Sequence, residues 1–255
     1  MLVNIVSGLD ALAAYGDVSA DPTQRYARTA EFLQIVRRLW TEDDVTFHGE
    51  HFSVESSTLA PRPYDAGSGR HPTLYFGGAS APAERVSVAE ADVQLFWGEP
   101  LEGLAERIAR LRALSETVGR RHAPLEFGLR ITTLVRDTTD QAWRDAEARV
   151  EAMAASAGAG GGAGSHHGAV GQQRLLDLAE RGDVLDSCLY TTPGRVGGGG
   201  AATTWLVGSA DDVAAALQKY RELGITHFVL SDTPYKPEII RIGDELLPRL
   251  RALAP

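Results

Sequence analysis

Strand-like and helix-like segments alternate along most of this 255-residue chain, and no other feature constrains the fold as strongly. A short, continuously apolar run is stable only when both of its faces are covered. An amphipathic segment following each such run supplies the cover, so the repeated pattern gives a parallel sheet with crossover helices. "LVNIVSG" (residues 2–8), "TLYFGG" (73–78), "DVQLFWG" (92–98), "EFGLRITTLV" (126–135) and "HFVLS" (227–231) read as five principal strands. Between the first two, Tyr26, Ala30, Phe32, Leu33, Val36, Leu39 and Trp40 fall near helical spacing. Asp21 or Thr23 can cap that helix, and Pro22 suits its first turn. "VTFHGEHFSVE" reads as a small hairpin around residues 48–50. "LEGLAERIARLRALSETVG", "DQAWRDAEARVEAMAAS", "GQQRLLDLAERGD", residues 211–223 and residues 237–253 read as further helices. "TWLVG" closes the interval before the last strand.

Composition narrows the class. With 44% hydrophobic residues the chain can bury a large core, and a single α/β domain of barrel size is as natural as two smaller ones. A net charge of −9, with basic residues scattered among acids, excludes the basic stripe that a nucleic-acid binder needs. Cys188 is the single cysteine, so neither an intramolecular disulfide nor a multi-cysteine metal site can form, and a lone thiol suits a reducing cytoplasm. No stretch of about 18 apolar residues or signal-like start is present, so neither a membrane span nor export is expected. Adjacent His166 and His167 are poorly placed to share one metal ion, and no metal site is expected. No G-x-S-x-G elbow, Walker motif or H-E-x-x-H occurs, which leaves hydrolase, P-loop and zincin chemistry without a carrier.

In parallel α/β folds ligands bind where the carboxyl ends of strands meet helix N-termini. Ser7 and Gly8 stand at one such end; Gly77, Gly78, Ala79 and Ser80 stand at another, just before a helix. Small residues let a phosphate approach the backbone and Ser80 adds a hydroxyl, although a strand followed by Gly-Gly can equally be a tight turn. Arg130 lies inside an otherwise apolar strand. An unpaired guanidinium is costly there, so it meets either a buried carboxylate of the protein or an anionic ligand.

Together the stretches "VNIVSGLD", "RYARTAEFLQIVRRLW", "LYFGGASAPA" with "WGEP", "FGLRITTLVRDT", "GQQRLL" and "LVGSADDVAAALQKYRELGITHFVLSDTPYKPE" resemble, in order, the luciferase-like flavin monooxygenases, most closely those of the two-component alkanesulfonate monooxygenase type. The resemblance implies a (β/α)8 TIM barrel binding reduced FMN, supplied by a separate NAD(P)H-dependent flavin reductase. Oxygenation of a small organic substrate would follow; for an alkanesulfonate it yields an aldehyde and sulfite. It also implies a mobile Gly-rich insertion, here about residues 156–203 of one 1–255 domain, and a homo-oligomer. Ser7, Tyr26, Gly78, Ala79 and Ser80 would touch FMN, chiefly its phosphate. Arg130 matches an arginine near flavin and substrate, and Arg195 a lid arginine that meets the sulfonate.

The chain departs from that pattern at three places. Thr132 stands where the alkanesulfonate enzymes have histidine, and in "SDTP" Thr233 stands in place of a tyrosine. Hydroxyls of such high pKa do no acid/base work near neutral pH. The first strand matches the family's fourth, so about a hundred residues and three strands of the eight-stranded barrel are not represented. An open sheet would follow, with exposed edges, self-association and weak hold on FMN. Two other readings remain: a truncated or split, non-catalytic barrel fragment needing a partner chain, or an oxidoreductase of the same superfamily that uses F420.

Overall fold

A computed structural model of the chain describes residues 2–5, 21–63, 70–159, 170–196 and 204–253. Ser7 and much of both glycine clusters lie outside them. The chain forms two compact units: Met1–Leu95 with Ala109–Glu126, and Phe96–Ile108 with Phe127–Pro255.

In the first unit, β1 (Leu2–Ile5) leads to helix α1 (Pro22–Thr41). Asp21 rather than Thr23 caps α1: its side chain accepts a hydrogen bond from the Thr23 N–H at 2.8 Å. The expected hairpin is β2 (Val45–His48) paired antiparallel with β3 (Ser53–Ser57). Next come β4 (Thr73–Phe76), α2 (Ala81–Glu90) and β5 (Val93–Trp97), whose last two residues enter the second unit. The order β1–β4–β5 is parallel throughout, with Ile5 level with Phe76 and Phe76 level with Gln94. Alternate residues therefore go to opposite faces. Leu74 and Phe76 join Leu33, Ala83, Val86 and Ala91 in one apolar cluster, against which Tyr26, Ala30 and Trp40 pack. Tyr75, Val93 and Leu95 form a second cluster. Burying a side chain such as Leu74 or Phe76 is worth roughly 1.5–3 kcal/mol. At the amino ends of the strands, Asp92 accepts from the Leu74 N–H at 2.8 Å and from Arg37 at 3.1 Å, while Arg37 also reaches the Glu90 carbonyl.

α3 (Leu101–Val118) begins in the second unit and ends in the first. β6 (Glu126–Arg136) then organises the second unit, followed by α4 (Thr139–Ala159), α5 (Val170–Arg181), β7 (Val184–Leu185), β8 (Leu189–Tyr190), α6 (Pro193–Val196) and β9 (Trp205–Ser209). α7 (Ala210–Glu222) starts with a capping box in which Ser209 and Asp212 satisfy each other's backbone N–H groups. β10 (Ile225–Ser231), α8 (Tyr235–Arg241), a π-helical turn (Ile242–Leu246) and α9 (Leu247–Ala252) close the chain.

β6 is long enough to serve two parallel neighbours in succession. Phe127–Thr132 pair with β10 and Thr132–Arg136 with β9. β8 and β7 extend β9 in antiparallel fashion. All five expected strands are present and parallel where paired, and β7, β8 and α6 are additions within the segment read as a Gly-rich insertion. Among the described residues β1 pairs only with β4, and β10 only with β6. Leu134, Ala142, Ala146, Val150, Tyr190, Trp205 and Val207 form the core between α4 and β9.

Candidate active-site residues at the strand ends

In the first unit the turn after β4 carries Gly77, Gly78, Ala79 and Ser80, all half-buried. Ser80 is the N-cap of α2, its oxygen accepting from the Ala83 N–H at 3.4 Å. As the acceptor it keeps its own hydroxyl proton for a ligand. The helix start offers fewer donors than the sequence suggests. Pro82 has no N–H, Ala83 is capped, and the Glu84 N–H is spent on the Ser80 carbonyl at 2.9 Å. Glu84 itself is buried in the first turn, with its charge matched by Arg110 at 2.7 and 3.0 Å. The donors that face out of this turn are therefore those of the loop and the Ser80 hydroxyl rather than of the helix end. Gly78 is also needed for packing, since a Cβ there would sit 2.6 Å from the Ala83 Cβ. A half-buried turn with no side chain larger than that of Ser80 at the carboxyl end of a strand fits a phosphate. Tyr26 packs against the α1–α2 core with its ring centroid 6.3 Å from that of Phe76, a core position that leaves it half-buried.

The second unit holds Arg130 and Thr132 on one face of β6. Both are half-buried, while Leu129, Ile131 and Thr133 on the opposite face are buried. In the ladder Arg130 is level with Val229 and Thr132 with Ser231, so the same face of β10 lies alongside. Val229 is 41% exposed on that face. Of the two fates open to Arg130, the structure provides no protein carboxylate: among the described residues its guanidinium has no ion pair or hydrogen bond, whereas its carbonyl accepts from the Gly98 N–H at 3.2 Å. Thr233 follows β10 by two residues and is exposed. Arg195, on the short α6, is exposed and pairs with Asp183.

Two residues at this end escaped the sequence reading. Trp97, next to Gly98, is 37% exposed although it ends an apolar run that reads as wholly buried. Asp232 is 3% exposed and bonded to Arg149. Trp97 had a signal, a bulky aromatic residue at the last strand position before Gly-Glu-Pro; Asp232 had only its place in "SDTP". Among the described residues no group of three or more His, Cys, Asp or Glu could hold a metal ion, and no helix is long and apolar enough to cross a membrane.

Comparison with solved structures supports this fold. A riboflavin lyase bound to modified FMN and riboflavin superposes with a TM-score of 0.71 at 17% identity, over 98% of this chain and 63% of the lyase. EDTA monooxygenase from Chelativorans sp. BNC1 gives 0.67 at 18% identity, over 97% of this chain and 64% of that one. An F420-dependent secondary alcohol dehydrogenase, in complex with an F420-acetone adduct, gives 0.64 at 20% identity, over 98% and 69%. The chain thus spans less than two thirds of the lyase and of the EDTA monooxygenase. These likenesses establish an α/β fold of the luciferase-like TIM-barrel type, with a mostly parallel sheet that is not closed into a barrel among the described residues. Residues 1–227 match the luciferase-like monooxygenase family, and the chain belongs to it.

Proposed function

We propose that this chain is the flavin-binding part of an FMN-dependent monooxygenase of the two-component type, acting on a small anionic organic substrate such as an alkanesulfonate. One observation carries the reading: Arg130, on a half-open strand face, has no carboxylate partner among the described residues. An unpaired guanidinium there is tolerable if the group it neutralises arrives with the ligand.

Within the first unit, Gly78, Ala79 and Ser80 hold the FMN phosphate through loop amides and the Ser80 hydroxyl, and Tyr26 lines the same unit. Bound reduced flavin supplies the two electrons with which O2 is activated. Arg130 binds the anionic head of the substrate and balances negative charge that builds up beside it. Trp97 and Val229 add apolar surface that excludes water from the reacting atoms. Thr132 and Thr233 orient substrate or oxygen by donating hydrogen bonds; as hydroxyls of high pKa they do not ionise near neutral pH. Arg195 and the segment around 156–203 supply the cover, and reduced flavin comes from a separate NAD(P)H-dependent reductase. The luciferase-like monooxygenase family match favours this reading over hydride transfer with F420, for which the alcohol dehydrogenase likeness is the argument.

The test is oxygen-dependent sulfite release from short alkanesulfonates, with reduced FMN generated by an added flavin reductase. Sulfite in step with O2 consumption is the expected result. Absence of turnover, together with no change in FMN fluorescence on titration, would overturn the assignment; fluorescence quenching by F420 alone would favour the dehydrogenase reading.

A further inference from the structure

The bend that follows β10 is held by an internal charge chain that no sequence motif announces. Asp232 is 3% exposed, and its Oδ1 accepts from the Arg149 guanidinium at 2.5 Å and from the Thr233 N–H at 2.8 Å. Arg149, on α4, also reaches Glu238 Oε1 on α8 at 3.4 Å. Glu238 takes two bonds of 3.1 Å from Arg136, at the end of β6, and Arg136 closes on Asp145 at 2.6 Å. Arg241 lies 3.6 Å from Glu238. Arg241 also pairs with Glu245 at 3.2 Å and Asp137 at 3.6 Å, so three arginines face five carboxylates. The set ties β6, α4 and α8 to the residue just before Thr233.

We propose that Asp232 is a positioning residue, whose clamped carboxyl group fixes the bend so that the Thr233 hydroxyl stays at the end of the strand face carrying Arg130 and Thr132. Strand alternation supports the geometry. Val229 and Ser231 share a parity with Arg130 and Thr132 through the ladder, which ends at Ser231; just past it Asp232 reaches Arg149 on α4 and holds the Thr233 N–H. Among the described residues the buried Asp232 Oδ2 has no hydrogen-bond partner, so one oxygen does the holding. Burial pushes the Asp232 carboxyl above the usual carboxylate range, opposed by the Arg149 charge and the Thr233 N–H. An asparagine, which keeps one acceptor oxygen and carries no charge, should therefore substitute for it.

This inference rests on the functional reading above only for its consequence in catalysis; the positioning itself is measured independently. Amide hydrogen exchange at Thr233, read by NMR on the full chain, should quicken about 10-fold in Asp232→Ala, the loss expected for one charge-assisted hydrogen bond, and stay near the wild-type rate in Asp232→Asn. The kcat for oxygenation should fall in Asp232→Ala and recover in Asp232→Asn. Arg149→Gln, which leaves Asp232 in place but loosens its clamp, should also quicken exchange at Thr233 while sparing the Leu134 amide within β6. Thr233 exchange at the wild-type rate in Arg149→Gln and in whichever Asp232→Ala protein folds would overturn the proposal, as would an Asn variant no better than Ala. A wild-type chain that oxygenates nothing sinks the functional reading and leaves the exchange comparison to decide this one.

Discussion

Arg130 separates binding from stability at a single residue. Because its guanidinium makes no ion pair or hydrogen bond among the described residues, Arg130→Met removes nothing the fold uses. Its unfolding free energy should stay within about 0.5 kcal/mol of wild type in denaturant titration, the range of substitutions away from structural features. Sulfite release should fall by about 100-fold, the order expected when one charge-stabilising donor is lost. A large drop in stability would mean that Arg130 has an internal partner after all. Gly78 behaves in the opposite way. A methyl group there meets the Ala83 Cβ, so Gly78→Ala should cost about 1–3 kcal/mol by overpacking and weaken FMN binding as the turn shifts. FMN titration of the folded variant reads the second effect. At this scale the sequence could show that Arg130 was out of place in an apolar strand; it could not show which of its two possible partners was absent.

At the scale of elements, one carboxylate holds the hairpin to α1. Glu31 accepts from the N–H groups of Glu50, His51 and Phe52 at 2.8, 2.9 and 3.0 Å, three backbone donors in the turn between β2 and β3. Burial works against its charge, but the three bonds outweigh it and hold the Glu31 carboxyl below the usual carboxylate range. A carboxyl with a depressed folded-state pKa contributes stability that is present above its unfolded value, near 4.5, and is lost as pH falls through the folded value. Thermal melting from pH 6 down to pH 3 should therefore show a decline that Glu31→Gln flattens; equal slopes for the two proteins would exclude this role. The cap of α1 was legible because a capping residue acts on a backbone two or three positions away. Glu31 was not legible, since its partners lie about twenty residues further on and only the packed hairpin brings them to it.

For the whole molecule, the open question is what a chain spanning 63% of a structural relative can do alone. β1 and β10 each have one hydrogen-bonded neighbour among the described residues, and unpaired strand edges favour association. We expect a homo-oligomer by sedimentation velocity; a monodisperse monomer would show the edges to be covered. FMN binding to the folded state should raise the melting temperature in proportion to the logarithm of FMN concentration above Kd, and a midpoint indifferent to FMN would count against the flavin site.

The amino-acid sequence alone settled the five principal strands and their parallel pairing, the hairpin and the strand end on which Gly78 and Ser80 stand. Each depends on apolar spacing or backbone capping within a few residues, and such interactions are written locally. Tertiary structure alone decided that Arg130 has no carboxylate among the described residues, that Trp97 is partly open, and that Asp232 meets Arg149 across 83 positions. The chain carries 34 acidic residues, and nothing in their order says which of them a given arginine will meet. That choice follows from which helices the sheet brings together, because a buried charge is stable only beside the partner that packing places within reach.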